Sequence, residues 1–444
     1  MTARTPLIEG ASAAEIVDSV RALISQGELA DGTLLPPVRA LAGELGLNRN
    51  TVAAAYRQLA ERGVVEGRGR GGTVVVSPDP LRGEGSRSPA PAVDLAGGNP
   101  DPDLLPDLRA AFSAAAYAPP LYGDPEVLPA LRDCADRLFA GDVDRPYGLS
   151  VTHGALDAIE RLLGTALVRG DVVAVEDPGF VASTGIVTAM GFRAVGVPID
   201  QRGMEPAALE AVIEDGARAV LCTPRVQNPT GASIDAERAA MLRGVLEAHP
   251  EVFVIEDDHL SLVAGAAYQR TRSPRTVRWA LVRSMAKVLG PDLRVAVVAS
   301  DPRTHDQLRR RLVAGVNWVS HLLQSIAAAL LADPATAPRL AEARAAYAQR
   351  AADLEAALRR QGIATAGPTD GWNVWVPLDG EESFVVAALA RRGWQVRPGS
   401  GYAVDLARSR QAVRITTSTL TKRDAERFAG TLASVLRDAT AEAA

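Results

Sequence analysis

Residues 277–299 read VRWALVRSMAKVLGPDLRVAVVA. Two short apolar runs, 277–283 and 294–299, flank a polar insert that carries Ser284, Lys287 and Arg294. Runs of this length, rich in Val and Ala and bounded by Gly and Pro, predict buried strands. Lys287 is one of two lysines, with Lys422, in a chain of 48 Lys+Arg residues. Arginine stays protonated in proteins, whereas a desolvated lysine can act as a neutral amine nucleophile. A coding bias against lysine explains the count equally well, so the neighbours of Lys287 must decide. Upstream, 172–176, 218–223 and 252–256 are further strand candidates separated by helical patterns. Continuous apolar strands alternating with amphipathic helices predict an α/β sheet covered on both faces. Ligands in such sheets bind beyond the carboxyl ends of the strands.

The polar residues at those ends form an ordered set. Asn228-Pro229-Thr230-Gly231 follows 218–223, and Asp257, Asp258 and His259 follow 252–256. Ser284 and Lys287 follow 277–283, and Arg294 comes seven positions later. Thr152-His153-Gly154-Ala155-Leu156 opens a helix with a glycine, where free N–H groups suit a phosphate. Pro178-Gly179-Phe180 sets an aromatic ring beyond 172–176. Pyridoxal 5'-phosphate (PLP) needs an amine for its aldehyde, a carboxylate for its pyridinium nitrogen, and helix-end N–H groups with an arginine for its phosphate. It also takes a donor for its phenolic oxygen and an aromatic partner for its ring. Each residue alone has an ordinary reading: a turn cap at Asn228, a helix cap at Asp257, a core ring at Phe180, a surface ion at Arg294. Their succession at strand ends favours a cofactor site.

The remaining chain bounds the answer. A length of 444 residues predicts two or three domains. Residues 78–93 (PDPLRGEGSRSPAPAV) lose apolar periodicity and read as a linker between a domain at 1–77 and one at 94–444. In the first part, Ile16, Val17, Val20, Leu23 and Ile24 recur at helical spacing. Pro36 and Pro37 precede a short helix that Gly46 ends, and Asn48 caps a third helix with Val52, Tyr56 and Leu59 inward. A two-stranded wing with a glycine-rich tip follows over 64–76. Basic and acidic residues balance across 1–77, eight each, yet 48–72 holds five arginines (49, 57, 62, 68, 70) against Glu61 and Glu66. That puts positive charge on the third helix and the wing, the elements a winged helix-turn-helix presents to DNA.

The net charge of −5 opposes whole-chain binding to a polyanion but not a local basic patch. No run of eighteen apolar residues occurs, so no membrane span is expected. Residues 1–10 carry no signal pattern, which predicts a cytoplasmic protein. Cys134 and Cys222 are isolated and the five histidines are scattered, so no metal is expected.

The run LLPPVRALAGELGLNRNTVAAAYRQLAERGVVEGRGRGGTVV (34–75) resembles the winged helix of the GntR family of bacterial regulators. The resemblance implies a phosphate contact at Arg39, a recognition-helix start at Asn48, Arg49, Asn50 and Thr51, and wing contacts at Arg68, Arg70 and Gly71. Arg49 is the candidate reader of a guanine edge, since a guanidinium donates two parallel hydrogen bonds. Ala53 stands where some members carry another arginine. From about residue 94 onward, NPTG, IEDDH and SMAKVLGPDLR resemble the fold-type I aminotransferases. That likeness implies Lys287 as the catalytic Schiff-base residue and Asp257 as partner of the pyridinium nitrogen. It implies Asn228 and His259 at the phenolic oxygen, Phe180 on the ring, and Gly154, Ala155, Ser284 and Arg294 at the phosphate. Tyr122, in LYGDP, matches a tyrosine that reaches the phosphate of the neighbouring subunit, which implies a homodimer. Arg414, in AVRITT, matches the arginine that clamps a substrate or effector carboxylate. His259 departs from the pattern: most relatives have tyrosine there, a neutral donor, whereas histidine is donor or acceptor.

Together the halves resemble the MocR/GabR class of regulators. TPRVQNPTG, IEDDH and RSMAKVLGPDLRVAVVASD point within it to the PtsJ-like branch, linked to vitamin B6 metabolism. The resemblance implies a PLP-dependent regulator that binds operator DNA and senses PLP or an amine effector. An active aminotransferase with an appended DNA-binding domain is the alternative.

Overall fold

The computed structural model describes residues 8–25, 28–30, 32–61, 64–67, 72–75, 93–115, 118–405 and 410–443. The first unit runs α1 (Ala13–Ser25), β1 (Leu34–Leu35), α2 (Val38–Leu45), α3 (Arg49–Glu61), β2 (Val65–Gly67) and β3 (Thr73–Val75). Ile16, Val17 and Val20 of α1 meet Val52, Ala55, Tyr56 and Leu59 of α3 in one core, as residues spaced on one helical face must. Gly46 ends α2 in the left-handed region at φ 66°, its N–H returning to the carbonyls of Ala42 and Gly43. Asn48 starts α3, its Oδ1 accepting from the Asn50 N–H at 2.9 Å. The Tyr56 hydroxyl donates to the Pro36 carbonyl at 2.8 Å and anchors α3 on the diproline turn. The wing differs from expectation. It is a three-stranded sheet, order β1-β3-β2, because Leu34–Leu35 pairs antiparallel with β3. Two residues are too few to show an alternation in sequence.

The second unit begins with β4 (Val93–Asp94), α4 (Leu108–Ala114), α5 (Pro129–Phe139), β5 (Gly148–Thr152) and α6 (Ala155–Ala166). It continues with β6 (Val172–Asp177), α7 (Val181–Ala189), β7 (Arg193–Asp200), β8 (Gly203–Met204), α8 (Pro206–Glu214), β9 (Ala217–Cys222), α9 (Ala236–Ala248), β10 (Phe253–Asp257), β11 (Trp279–Ser284) and β12 (Ala296–Ser300). Eight strands form one sheet in the order β5-β12-β11-β10-β9-β6-β7-β8. The central pairs β6–β9, β9–β10 and β10–β11 are parallel, and β12 runs antiparallel to both β11 and β5. All five expected strands are present, displaced by one or two residues. Val277 falls outside β11, its N–H donating to the Pro250 carbonyl, and Arg294 turns through φ 48° before β12. The linker expected over 78–93 lies outside the described residues except for Val93, which is paired in a strand: its N–H donates to the Gly393 carbonyl.

The chain closes with α10 (Pro302–Val313), α11 (His321–Ala332), α12 (Thr336–Arg360), β13 (Asn373–Pro377), α13 (Glu382–Arg391), β14 (Trp394–Gln395), β15 (Arg397–Pro398), β16 (Ala412–Thr416) and α14 (Lys422–Ala443). A small sheet, order β13-β16-β15, packs Val374, Val376, Val413 and Ile415 against Leu354 of α12 and Phe428 and Leu432 of α14. No helix among the described residues is long and apolar enough to cross a membrane, and no metal-ligating cluster occurs among them.

Candidate cofactor site and DNA-binding helix

β6, β9, β10 and β11 all deliver polar residues to one end of the large sheet. Asp257 ends β10 and is buried, with its Oδ1 unpartnered among the described residues. Burial pushes its carboxyl up from the usual range, and Asp258 adds to this, while His259 opposes it. His259 Nδ1 lies 3.8 Å from Asp257 Oδ2 and makes no hydrogen bond among the described residues. Asp258, fully buried, accepts from Arg225 Nε and Nη2 at 2.7 and 2.8 Å and from Arg283 Nε at 2.9 Å. That fork fixes the backbone on which Asp257 projects.

Ser284 ends β11, and its hydroxyl accepts from the Ala286 N–H at 3.3 Å. Lys287 Nζ donates to the Gly98 carbonyl at 2.7 Å. Gly154 caps α6 at φ 91° and ψ 172°, and Ala155 is the first helical residue. A Cβ at Gly154 would stand 2.9 Å from Arg294 Nη2. The Arg294 guanidinium itself donates to the His153 carbonyl at 3.1 Å and is otherwise exposed. The N-terminus of α6, its glycine cap and the exposed Arg294 guanidinium therefore meet at one point. Phe180 is half-buried between β6 and α7.

Arg414, on β16, is fully buried and reaches the other half of the site. Its Nη1 donates to Asn228 Oδ1 at 3.2 Å and its Nη2 to the Ala96 carbonyl at 2.5 Å. Its guanidinium stands 5.4 Å from the centre of the Tyr402 ring. Tyr122 lies apart from these groups. It is 89 % exposed and packs 5.5 Å from the Trp318 ring.

In the first unit, Arg39 on α2 and Asn48, Arg49 and Asn50 at the start of α3 are exposed, and Thr51 is half-buried. The N-terminal end of α3 thus presents polar side chains outward, as a reading helix does. Arg68, Arg70 and Gly71 lie outside the described residues.

Two family models match parts of the chain. The description "Bacterial regulatory proteins, gntR family" matches residues 12–75, and "Aminotransferase class I and II" matches residues 90–432. The vitamin B6 salvage pathway transcriptional repressor PtsJ of Salmonella typhimurium is 46% identical over 415 residues, 93% of this chain and 96% of its own. The chain belongs to the MocR-type regulators. The pyridoxine biosynthesis transcriptional regulator PdxR of Corynebacterium glutamicum is 30% identical over 406 residues, covering 87% of this chain and 88% of its own. Among solved structures, a multiple substrate aminotransferase from Thermococcus profundus superposes with TM-score 0.72 at 19% identity, over 80% of this chain and 93% of its own. That last likeness concerns the fold.

Two features of the site escaped the sequence reading. The segment Ala96-Gly97-Gly98 supplies the carbonyls that hold Arg414 and Lys287. Its adjacent glycines, which signal close backbone approach, were the available clue. Glu176 and Gln227 form a buried pair that ties neighbouring loops, and nothing in their spacing of 51 positions announces it.

Proposed function

We propose that the protein is a PLP-binding transcriptional regulator: a dimer whose winged helices bind operator DNA and whose aminotransferase-like domain senses PLP or an amine effector. The observation that carries this reading is one site in which a buried carboxylate with one oxygen unpartnered among the described residues, a lysine and a glycine–arginine pair share the ends of adjacent strands, downstream of a gntR domain.

The residues suit the group. Asp257 Oδ1 has no partner among the described residues and would accept from a pyridinium N–H. Gly154, Ala155, Ser284 and Arg294 would hold the phosphate, since helix N–H groups and a guanidinium favour a dianion. Phe180 would cover the ring, and Asn228 with His259 would face the phenolic oxygen. When bound, PLP supplies an aldehyde that captures amines. Lys287 would hold it, and Arg414 would grip an effector carboxylate. We assign Tyr122 to the phosphate of the neighbouring subunit, which its exposure permits. Arg39, Asn48, Arg49, Asn50 and Thr51, with Arg68, Arg70 and Gly71 of the wing, would contact DNA in a cytoplasmic regulator. Two heads per dimer call for a repeated or palindromic operator. An effector regulates only by binding two arrangements of the dimer unequally.

A DNA-binding assay on the gene's own upstream region, with and without PLP, tests the reading. Sequence-specific binding altered by PLP supports it, and no specific binding under either condition overturns it. The alternative is an active aminotransferase with an appended DNA-binding domain, for which Lys287, Asp257 and Arg414 are all present. Steady amino-acid turnover abolished by Lys287→Ala would establish that alternative.

A further inference from the structure

A cavity of about 250 Å³ lies between β5, the start of α5 and the end of α10. β5 is an edge strand of the large sheet, so its outer side is open to this space. None of the lining residues belongs to the cofactor, effector or DNA sets above. Pro125, Val127, Pro129, Leu149, Val151 and Leu312 form an apolar wall, and Trp318 adds a flat face.

Buried polar bonds fix the shape of the cavity. Gln324 is fully buried, and its Oε1 accepts from the Leu128 N–H at 2.9 Å. Its Nε2 donates to the Glu126 and Val319 carbonyls, each at 2.8 Å. One amide thus ties the 126–128 turn to the segment that carries Asn317 and Trp318. The Trp318 ring stacks on His321, with centroids 5.5 Å and planes 18° apart. A wall held this way is organised before a ligand arrives, which lowers the cost of binding.

The charges on the wall are unevenly matched. Arg309 Nε and Nη2 both donate to Glu126 Oε1, at 2.9 and 2.7 Å. His305 Nδ1 lies 2.9 Å from the Ser150 hydroxyl. Burial holds that imidazole below its usual range; Arg132 and Arg309 push the same way, and Asp306 and Glu126 oppose. It is therefore neutral at pH 7. Arg132, on α5, is exposed, and its side chain makes no hydrogen bond or ion pair among the described residues. Two arginines against Glu126 leave one positive charge at the cavity. An exposed arginine alone is ordinarily a solvated surface ion. This one borders an apolar space smaller than the roughly 300–1,000 Å³ of pockets for drug-sized ligands, a volume suited to a single ring.

We propose that the cavity is a second small-molecule site, which takes a carboxylate borne on one flat apolar ring. Arg132 receives the carboxylate, because a guanidinium pairs with it through two parallel hydrogen bonds. Trp318 and the apolar wall receive the ring. A phosphate dianion would exceed the one available charge and meet Glu126. The proposal does not depend on the PLP reading.

Benzoate is the probe, titrated into the full-length protein at pH 7 and followed by calorimetry and tryptophan fluorescence. We expect saturable binding, with benzamide, its neutral analogue, at least about tenfold weaker. Arg132→Gln should weaken benzoate by at least about tenfold with an unchanged melting temperature, since the residue is exposed. Glu126→Gln releases Arg309 and removes the opposing charge, so it should tighten benzoate about three- to tenfold. Trp318→Phe should abolish the fluorescence response. No saturable binding overturns the proposal, as it would if a partner subunit filled the cavity. Binding undiminished by Arg132→Gln also overturns it, because the carboxylate is then held elsewhere, for example at Arg414. A Glu126→Gln protein that binds no tighter than the wild type overturns the charge assignment on which the choice of a carboxylate stands.

Discussion

Gly154→Ala separates a phosphate cradle from an ordinary helix start. The residue sits at φ 91° and ψ 172°, a conformation open almost only to glycine. Forcing a side chain there costs about 1–3 kcal/mol. The new Cβ would also lie 2.9 Å from Arg294 Nη2 and 3.2 Å from its Cζ. The guanidinium must therefore move off the cradle and give up its bond to the His153 carbonyl. A hydrogen bond to a charged group contributes about 1.5–3 kcal/mol, so displacing Arg294 from the phosphate should weaken PLP about ten- to a hundredfold. The assay compares PLP with pyridoxal, which shares the ring and aldehyde but lacks the phosphate. We expect the large loss for PLP and little change for pyridoxal, with a modest fall in melting temperature. Equal weakening of both ligands would refute the assignment, because the strain would then be acting on the fold alone.

Lys287→Arg keeps the positive charge and removes the nucleophilic amine, so PLP should remain dialysable and no longer be trapped on the protein by borohydride reduction, as read by mass spectrometry. Asp258→Ala leaves Arg225 and Arg283 facing each other without their shared carboxylate. Breaking such a buried pair costs about 3–5 kcal/mol, and a loss below about 1 kcal/mol in denaturant unfolding would contradict the assigned role. Arg49→Ala should weaken operator binding by about 1–3 kcal/mol and relax preference at one base position, while PLP affinity stays unchanged. A uniform loss on all DNA sequences would instead make Arg49 a phosphate contact.

The local elements were legible because their signals are local. The 3.6-residue spacing in α1 and α3, the Asn48 cap and Gly46 stop each act within one turn of helix, and each appears where expected. The same holds for the runs that become β6, β9, β10, β11 and β12, and for Asp257 and Ser284 at strand ends. β1 and β5 were harder. β1 is two residues long, and β5 (GLSVT) mixes glycine, serine and threonine into a buried strand. Gly148 is required there by the ring of His305, whose Cγ would stand 2.0 Å from an added Cβ.

The sequence by itself determined the pairing of a winged helix with an α/β domain, and which residue types stand at the strand ends, since apolar period and motif spacing specify both. Tertiary structure decided which of those groups meet. Lys287 finds its carbonyl 189 positions away at Gly98, and Arg414 finds its own 318 positions away at Ala96. Glu176 meets Gln227 only because β6 lies beside β9. A buried strand carries the same apolar run whether its neighbour is parallel or antiparallel. Strand order, and with it every long-range polar partner in the site, is therefore set by how the covered sheet packs as a whole.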